Sequence, residues 1–304
     1  MPTVSGTVYD STGATAAGRV VRAYRRDTGA LLGTAVSSDG TVYGVGDSDW
    51  TSVQLHLKFN GSNGSTTFTD SSPTPKTVTP SGNAQLSTAW VKYGSASGLF
   101  DGTGDFLTVT HQSGMTFGTS AFCIRAWINP TAPAVAFRGI FGNGSGAGQL
   151  DFHVNSSGSL RVYANGGGIN LTGGALSAAT PAHVEFTHDG SGTYKIFKDG
   201  VQTATVTTTA IDFNSTANWL VGGNTTASHA YGYFDDMQVT IGAARHTSAF
   251  TPPIEELLTY APSLLSHGQY QVDLAAYTGE VYVVCLDDVA GTTENDLILR
   301  TTGV

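Results

Sequence analysis

The chain has 304 residues, of which 40% are hydrophobic and 12% are charged, and its formal net charge at pH 7 is −9. This length accommodates two domains of ordinary size, and the apolar content is sufficient for a packed core in each. Because the chain has only 14 lysines and arginines, it lacks the basic surface that dominates nucleic-acid affinity. Nucleic acids are therefore not expected as partners.

The composition predicts an all-β protein. The 39 glycines, together with many threonines, serines and valines, are typical of short strands joined by tight turns. No segment approaches the roughly 18 apolar residues of a membrane span, and the first residues lack the basic and apolar regions of a secretory signal. We therefore expect no membrane insertion, and synthesis in the cytoplasm without a signal peptide.

Residues 1–45 alternate as short strands do. One alternating stretch runs from Val4 to Val8 and another from Val20 to Arg26, and each leads into a turn that contains Asp and Gly. This pattern predicts two or three strands. It ends near Gly40, and the Gly-, Asp- and Ser-rich stretch at 44–50 indicates a domain boundary.

Residues 51–253 are predicted to form a two-sheet sandwich, because strand signals recur at short intervals between Asn-Gly, Asp-Gly and Ser-Gly turns. The one helix signal follows Pro252 and Pro253 at 254–260, within a segment at 254–263 that we expect to be a connector. The predicted strands are 53–59, 91–93, 106–110, 122–128, 139–142, 150–154, 160–164, 183–188, 194–198, 201–206, 219–222 and 233–241.

Residues 264–304 resume the alternation of the first segment. Neither terminal segment alone would bury enough apolar surface to offset its ordering entropy. We therefore predict that 1–45 and 264–304 form one small sandwich, into whose hairpin tip the central sandwich is inserted, with Gly40 close to Gly268. The only cysteines, Cys123 and Cys285, fall in different predicted domains, so we expect both to be buried and neither to form a disulfide.

The terminal segments resemble a known family. The stretches 5–13, 18–33, 37–40, 268–270, 279–288 and 295–300, read as one string, are similar to a transthyretin-like or carboxypeptidase-regulatory-like β-sandwich of bacteriophage structural proteins. The resemblance implies a role as the part of the chain that docks on the virion.

The central segment resembles laminin-G-like, concanavalin-A-like jelly rolls of phage tail and fibre proteins. The matching stretches are 57–59 with 68–72, 99–107, 122–128, 197–200 and 233–239, and most specifically 244–253, which matches the end of such domains. The fold implied is a small β-sandwich interrupted by a larger laminin-G-like jelly roll.

Catalysis is not expected. Retaining glycosidases on this scaffold need two carboxyl groups about 5 to 5.5 Å apart, but Glu185 is the only glutamate between Thr51 and Pro253. We interpret Glu185 as a surface residue. The histidines lack zinc-ligand spacing, so we interpret His188, His229 and His246 as polar residues of loops or strand ends.

Calcium is the candidate cofactor, since the resemblance implies one ion at a rim where loops meet. Asp70 and Asp235 occupy positions that resemble the acidic residues associated with this ion. The alternative is structural: Asp70 makes an Asx-turn, and Asp235 accepts backbone N–H bonds at a strand end.

Sugar recognition requires an exposed aromatic platform with polar groups beside it. The candidate ligand-binding residues are Tyr163, Trp219, His229 and Tyr231. Aromatic residues on strands also commonly belong to the core, so both interpretations remain open for this set.

The resemblance leads to a non-enzymatic bacteriophage virion protein that displays a lectin-like jelly roll for attachment to the host surface or its glycans. Its partners would be other virion proteins, host cell-surface glycan and further copies of itself, since virion components repeat with the particle's symmetry. The alternatives are a purely architectural or decoration protein without a glycan ligand, and a glycan depolymerase.

Overall fold

The computed structural model describes residues 3–7, 20–25, 31–36, 49–131, 138–223, 228–253, 269–273, 281–286 and 299–301. The chain divides into two compact units. One comprises Met1–Ser48 with Tyr260–Val304, and the other, here called the central unit, comprises Asp49–Thr259.

The described residues are almost entirely strands, and the all-β prediction is confirmed. Two short 3-10 turns, Trp50–Ser52 and Asn165–Gly167, interrupt the strands of the central unit. The strands are β1 Thr3–Thr7, β2 Val20–Arg25, β3 Leu31–Val36, β4 Val53–Leu57, β5 Val78–Ser81, β6 Gln85–Ser87, β7 Ser97–Asp101, β8 Phe106–Val109, β9 Phe122–Pro130, β10 Arg138–Gly142, β11 Leu150–Val154, β12 Ser159–Ala164, β13 Ile169–Ala175, β14 Ala182–His188, β15 Thr193–Lys198, β16 Val201–Thr207, β17 Trp219–Val221, β18 Tyr231–Ile241, β19 Gln269–Asp273, β20 Val281–Leu286 and β21 Leu299–Thr301.

The central unit is a sandwich of two antiparallel sheets. The seven-stranded sheet has the order β13-β12-β11-β10-β17-β8-β5. The eight-stranded sheet has the order β16-β15-β14-β9-β18-β7-β6, and β4 also pairs with β18. Sequence neighbours are often not sheet neighbours: β9 pairs with β14 and β18, which places residues far apart in the chain side by side.

The core lies between these sheets and is rich in aromatic rings. Phe117 stacks on Trp219 of the seven-stranded sheet, with ring centroids 5.3 Å apart, and approaches Phe122 of the eight-stranded sheet at 4.8 Å. All three side chains are fully or almost fully buried. Burial of each such ring contributes about 1.5 to 3 kcal/mol to folding, so these contacts join the two sheets firmly.

In the other unit, the first and last parts of the chain pair with each other. β1 pairs with β19, and β2 lies between β3 and β20 in a four-stranded sheet that ends at β21. Val21 and Ala23 of β2 are fully buried. Gly40, Gly268 and the connector at 254–263, with its expected helix, lie outside the described residues.

Most predicted strands of the central unit are present, with ends shifted by one or two residues. The prediction for 91–93 is wrong, because these residues form a loop. Four strands had no sequence prediction: β5, β6, β7 and β13. In the described part of the chain, no helix combines the length and apolarity needed to cross a bilayer.

Candidate functional site

Tyr231 is an exposed aromatic residue at one end of the central unit. It begins β18, and its side chain is 37% exposed, whereas nearly all other large apolar side chains among the described residues are covered. Its partner across the strand pair is Asp101, the last residue of β7. An exposed ring beside a carboxylate offers both an apolar face and a hydrogen-bond acceptor.

Arg138 holds this ring from the opposite sheet. It begins β10, and its guanidinium carbon lies 5.5 Å from the centroid of the Tyr231 ring. Its Nη1 donates to the carbonyl oxygens of Gly102, at 3.3 Å, and of His229, at 3.4 Å. The guanidinium therefore ties two loops and the tyrosine together, and we call Tyr231, Arg138, His229, Asp101 and Gly102 the rim site.

Gly102 is the residue that permits this packing. Its φ is +88°, and a Cβ atom there would lie 3.2 Å from Cβ of Tyr231 and 3.0 Å from Nη1 of Arg138. Both the left-handed backbone and the close approach favour glycine. The rim site is consequently built into the turn between β7 and β8.

His229 completes the rim site. Its ring stacks on Phe106, with centroids 5.9 Å apart and an interplanar angle of 15°. Its Nε2 is buried and has no hydrogen-bond partner among the residues that the structure describes. A buried ring nitrogen without a partner is costly, so a ligand group that bonded it would gain affinity.

Two further aromatic rings extend the rim site along the eight-stranded sheet. Tyr233 lies two residues beyond Tyr231 on β18. Trp90 approaches Tyr233 with ring centroids 6.1 Å apart and an interplanar angle of 47°. We call Trp90, Tyr231 and Tyr233 the aromatic strip. Beside it, Asn129 pairs with Tyr233 across the strands, and its Oδ1 is buried without a described partner.

Sequence comparison places this geometry in a known fold. Residues 101–245 match the family model described as the concanavalin A-like lectin/glucanases superfamily. The central unit has a concanavalin A-like jelly-roll fold. No curated protein matches the chain in sequence.

Several solved structures are similar to this chain, among them binding domains of toxins. The binding domain of Paraclostridial Mosquitocidal Protein 1 is 13% identical, with a TM-score of 0.50, over 67% of this chain and 50% of that chain. Domain 4 of AbnA, a GH43 extracellular arabinanase from Geobacillus stearothermophilus solved with arabinotriose, is 17% identical with a TM-score of 0.48, over 63% of this chain and 93% of that one. The binding domain of botulinum neurotoxin DC, solved with rat synaptotagmin II, is 16% identical with a TM-score of 0.48, over 64% of this chain and 49% of that one. The chain thus spans about half the length of these two toxin domains.

The jelly roll does not bring the four predicted ligand-binding residues together. His229 and Tyr231 meet through Arg138. Tyr163 lies on β12 of the seven-stranded sheet, beneath the guanidinium of Arg161 at 5.5 Å. Trp219 is not an exposed platform, because its ring is fully buried against Phe117. The exposed Tyr231 and the half-buried His229 therefore lie on one surface of the jelly roll, and the half-buried Tyr163 lies on another.

Asp70 directs both carboxylate oxygens at donors of its own chain. Oδ1 accepts from the backbone N–H groups of His56 and Ser72, both at 2.9 Å. Oδ2 accepts from the Ser72 hydroxyl at 2.9 Å and from the Lys76 N–H at 2.8 Å. Four donors use the roughly four lone-pair positions of a carboxylate, so Asp70 as placed does not fit a calcium ion.

Asp235 also accepts backbone N–H bonds. Its Oδ2 accepts from Lys92 at 2.8 Å and from Tyr93 at 3.0 Å, and its Oδ1 accepts from Asp236 at 2.8 Å. Burial raises the pKa of Asp235 to about 7 despite these bonds. The described residues contain no group of three His, Cys, Asp or Glu side chains that could hold a metal ion. These contacts favour the structural alternative for both aspartates, and calcium binding stays a prediction.

The hydrogen bonds that Asp235 accepts position the aromatic strip. They fix the loop at 91–93, next to Trp90, over the outer face of the eight-stranded sheet. On the same face, Nζ of Lys92 lies 3.7 Å from the centroid of the Trp127 ring. Sequence reasoning selected Asp235 for a metal and did not select Trp90, Tyr233 or Arg138. The alternation of Tyr231 and Tyr233 along one strand was the signal that would have identified Tyr233.

Glu185 is not a surface residue, contrary to the sequence prediction. Its side chain is fully buried, and both carboxylate oxygens bond Nδ1 of His246, at 2.9 and 3.0 Å. His246 belongs to residues 242–253, which we call the closing strap. The strap lies over the outer face of β14, where the amide of Phe250 donates to the carbonyl of Gly200 at 3.0 Å. It therefore covers Glu185, the only glutamate between Thr51 and Pro253.

His188 and Cys123 are structural. His188 ends β14 in a buried position, stacks on Tyr194 at 4.2 Å and bonds the Ser120 carbonyl oxygen through Nδ1 at 2.9 Å. Cys123 is a free, buried thiol whose pKa is raised by burial and by the neighbouring Glu185. The expected burial of Cys123 is confirmed. Cys285 lies in β20, and its side chain is outside the described residues.

Proposed function

We propose that this chain is a non-enzymatic bacteriophage virion protein whose jelly roll attaches to a glycan of the host surface through the rim site. The observation that carries the proposal is the exposed ring of Tyr231, held by Arg138 and flanked by Asp101 and His229. The aromatic strip lengthens this surface, so several sugar rings of one chain can contact it.

The chemistry of the rim site suits a sugar. Stacking on an aromatic ring supplies affinity, and polar groups at its edge select among hydroxyl arrangements. Because Arg138 already fixes the Tyr231 ring, little side-chain entropy is lost on binding. The carboxylate of Asp101 can accept hydrogen bonds from sugar hydroxyls, and Nε2 of His229 is a second polar atom without a partner among the described residues.

Two observations support binding without hydrolysis. Glu185, the only glutamate between Thr51 and Pro253, is covered by the closing strap and bonded to His246. Asp70 and Asp235 direct their oxygens at backbone N–H groups. All three carboxylates are therefore engaged by groups of the chain itself, whereas a hydrolase presents an acid and a nucleophile to its substrate.

The virion assignment rests on the resemblance of the terminal segments and of the stretch 244–253 to phage structural proteins. In this proposal the terminal unit docks on other virion proteins, and identical copies display the jelly roll outward with the symmetry of the particle. Mass spectrometry of purified particles tests this part, since the chain must be a stoichiometric component that remains after washing.

The glycan-binding part is tested with the full chain on a glycan array and on host envelope preparations. We compare the wild type with Tyr231→Ala and with Val201→Ala, which shortens the other large exposed apolar side chain among the described residues, 62% exposed on β16. A Tyr163→Ala variant reports on the seven-stranded sheet. We expect binding to fall at least tenfold in Tyr231→Ala and to be unchanged in Val201→Ala.

Other outcomes contradict the proposal in different ways. Loss of binding in Tyr163→Ala alone would move the ligand to the other sheet. An absence of binding to every glycan and envelope preparation would favour the purely architectural or decoration protein. Release of reducing sugar by the wild type would favour the depolymerase.

A further inference from the structure

A second concave surface lies away from the rim site, where β4 ends. It is a cavity of about 240 Å³ between the end of β4, the loop at 59–71 and β6. Apolar side chains line it together with Lys58, Asn60, Thr67, Thr69 and Ser71. We call it the loop pocket. Neither the sequence nor the comparisons assign it a role.

The lining of the loop pocket is divided by polarity. Leu57, Phe59, Phe68 and Leu86 are buried and give it an apolar floor, and Phe59 and Phe68 meet edge to face with centroids 6.0 Å apart. Thr67 and Thr69 are exposed and supply hydroxyl groups at its mouth. An apolar floor with a few polar groups at the mouth is the usual composition of a small-molecule site.

The walls of the loop pocket are fixed by hydrogen bonds. The amide of Leu86 donates to the carbonyl of Ser65 at 2.7 Å, and the amide of Gly64 donates to the carbonyl of Leu86 at 2.8 Å. At the far end of the loop, the Asp70 carboxylate accepts from the His56 N–H. The loop is therefore held to β6 and to β4, which keeps the cavity open.

Phe59 occupies a strained conformation at the floor. Its φ is +55°, a left-handed value that is unfavourable for a bulky aromatic residue. Strain of this kind persists only where the surrounding structure enforces it, and it concentrates at ligand sites. Here it places the Phe59 ring against Phe68 and against Gly98, where a Cβ atom would lie 2.6 Å from the ring.

The volume decides the size of the occupant. An engineered apolar cavity of about 150 Å³ holds one benzene ring, so 240 Å³ has room for one ring with substituents. The mixed lining favours a ligand with one apolar face and several hydroxyl groups. A pyranose ring has this character: its C–H face can pack on the floor while its hydroxyls meet Thr67, Thr69 and Ser71.

We propose that the loop pocket binds a single pyranose residue at the end of a glycan chain, while the aromatic strip contacts residues along such a chain. The inference rests on the proposed function, since it adds a second, end-on site to a glycan-binding jelly roll. A pocket of this volume, bounded by the fixed loop at 59–71, has room for one sugar ring. The aromatic strip is an open surface, so it does not limit the length of the bound glycan.

The test uses the full chain and free methyl glycosides of glucose, galactose, mannose and N-acetylglucosamine, with binding followed by saturation-transfer NMR and titration. Thr69→Trp places a large side chain at the mouth of the pocket, and Thr208→Trp makes the same change at another exposed position. Thr67→Val removes one hydroxyl with little change of shape. Melting temperatures of all variants verify that they are folded.

We expect at least one glycoside to bind the wild type, with affinity reduced at least tenfold in Thr69→Trp, several-fold in Thr67→Val and not at all in Thr208→Trp. Binding that survives Thr69→Trp but is lost in Tyr231→Ala would overturn the pocket proposal and leave the proposed function intact. Absence of binding by every monosaccharide, with polymer binding retained, would overturn the pocket proposal alone. Absence of both would overturn both.

Discussion

The carboxylate of Asp70 accepts a hydrogen bond from the backbone N–H of His56 at 2.9 Å, so the chain that leaves β4 returns to it 14 residues later. The same carboxylate bonds Ser72 and Lys76. One side chain therefore closes the loop that walls the loop pocket. Asp235 has the corresponding role for the loop beside the aromatic strip.

Replacing Asp70 is expected to destabilise the jelly roll without involving calcium. Asp70→Ala leaves three buried or partly buried N–H groups without their acceptor, which costs roughly 2 to 4 kcal/mol in the free energy of unfolding. Chemical denaturation measures this cost. Because all lone-pair positions of Asp70 are used, we also expect the same melting temperature in excess calcium and in a chelator; a rise with calcium would instead establish a metal site.

Asp235 makes stability depend on pH in a defined direction. Burial raises its pKa from 3.8 to about 7, so between these values the folded chain binds a proton that the unfolded chain does not. The contribution of Asp235 to stability therefore increases as the pH falls from about 7 towards 3.8. Asp235→Asn is expected to abolish this increase in denaturation curves taken across that interval. Asp212→Asn, at an exposed carboxylate, is the matched control and should retain it.

His183 acts in the opposite direction. Its side chain is buried between Trp127 and Phe250, and burial, with Arg125 as the next cause, lowers its pKa from 6.5 to about 3. Below pH 6.5 the imidazole is protonated in the unfolded chain, whereas in the folded chain it stays neutral until about pH 3. Stability from this residue is therefore lost as the pH falls through that interval. His183→Gln should remove this loss of stability. If the free energy of unfolding of the variant falls with pH as it does in the wild type, His183 is not the source of the loss.

The pair of Glu185 and His246 is expected to fasten the closing strap. A double-mutant cycle with Glu185→Ala and His246→Ala should give a coupling free energy of roughly 1 to 3 kcal/mol, because either single change leaves the other group without its bond. Hydrogen exchange of the strap amides provides a second measurement. If the effects of the two single substitutions on stability simply add, and hydrogen exchange of the strap amides is unchanged, the pair does not have this role.

Local sequence patterns were sufficient for most strands of the jelly roll. Leu150 to Val154 alternates apolar and polar residues, and that period places Leu150 and Phe152 in the core and Asp151 and His153 on the opposite face of the sheet, where both are also buried. β5, β6 and β7 were missed because they are short and contain Pro, Ser or Gly, so pairing with neighbours, rather than their own propensity, makes them strands.

The candidate sites depended on tertiary structure to a greater extent. Aromatic character selected Tyr231 and Trp219 equally, and only the packing of Phe117 on Trp219 separated an exposed ring from a core ring. Glu185 looked like a surface residue because a strand pattern cannot show that a strap from 61 residues later covers its outer face. The alternation of apolar and polar residues is a local property, and it determined the strands. Side-chain exposure, loop closure and the contact of Arg138 with Tyr231 depend on contacts between distant segments, so only the tertiary structure determined them.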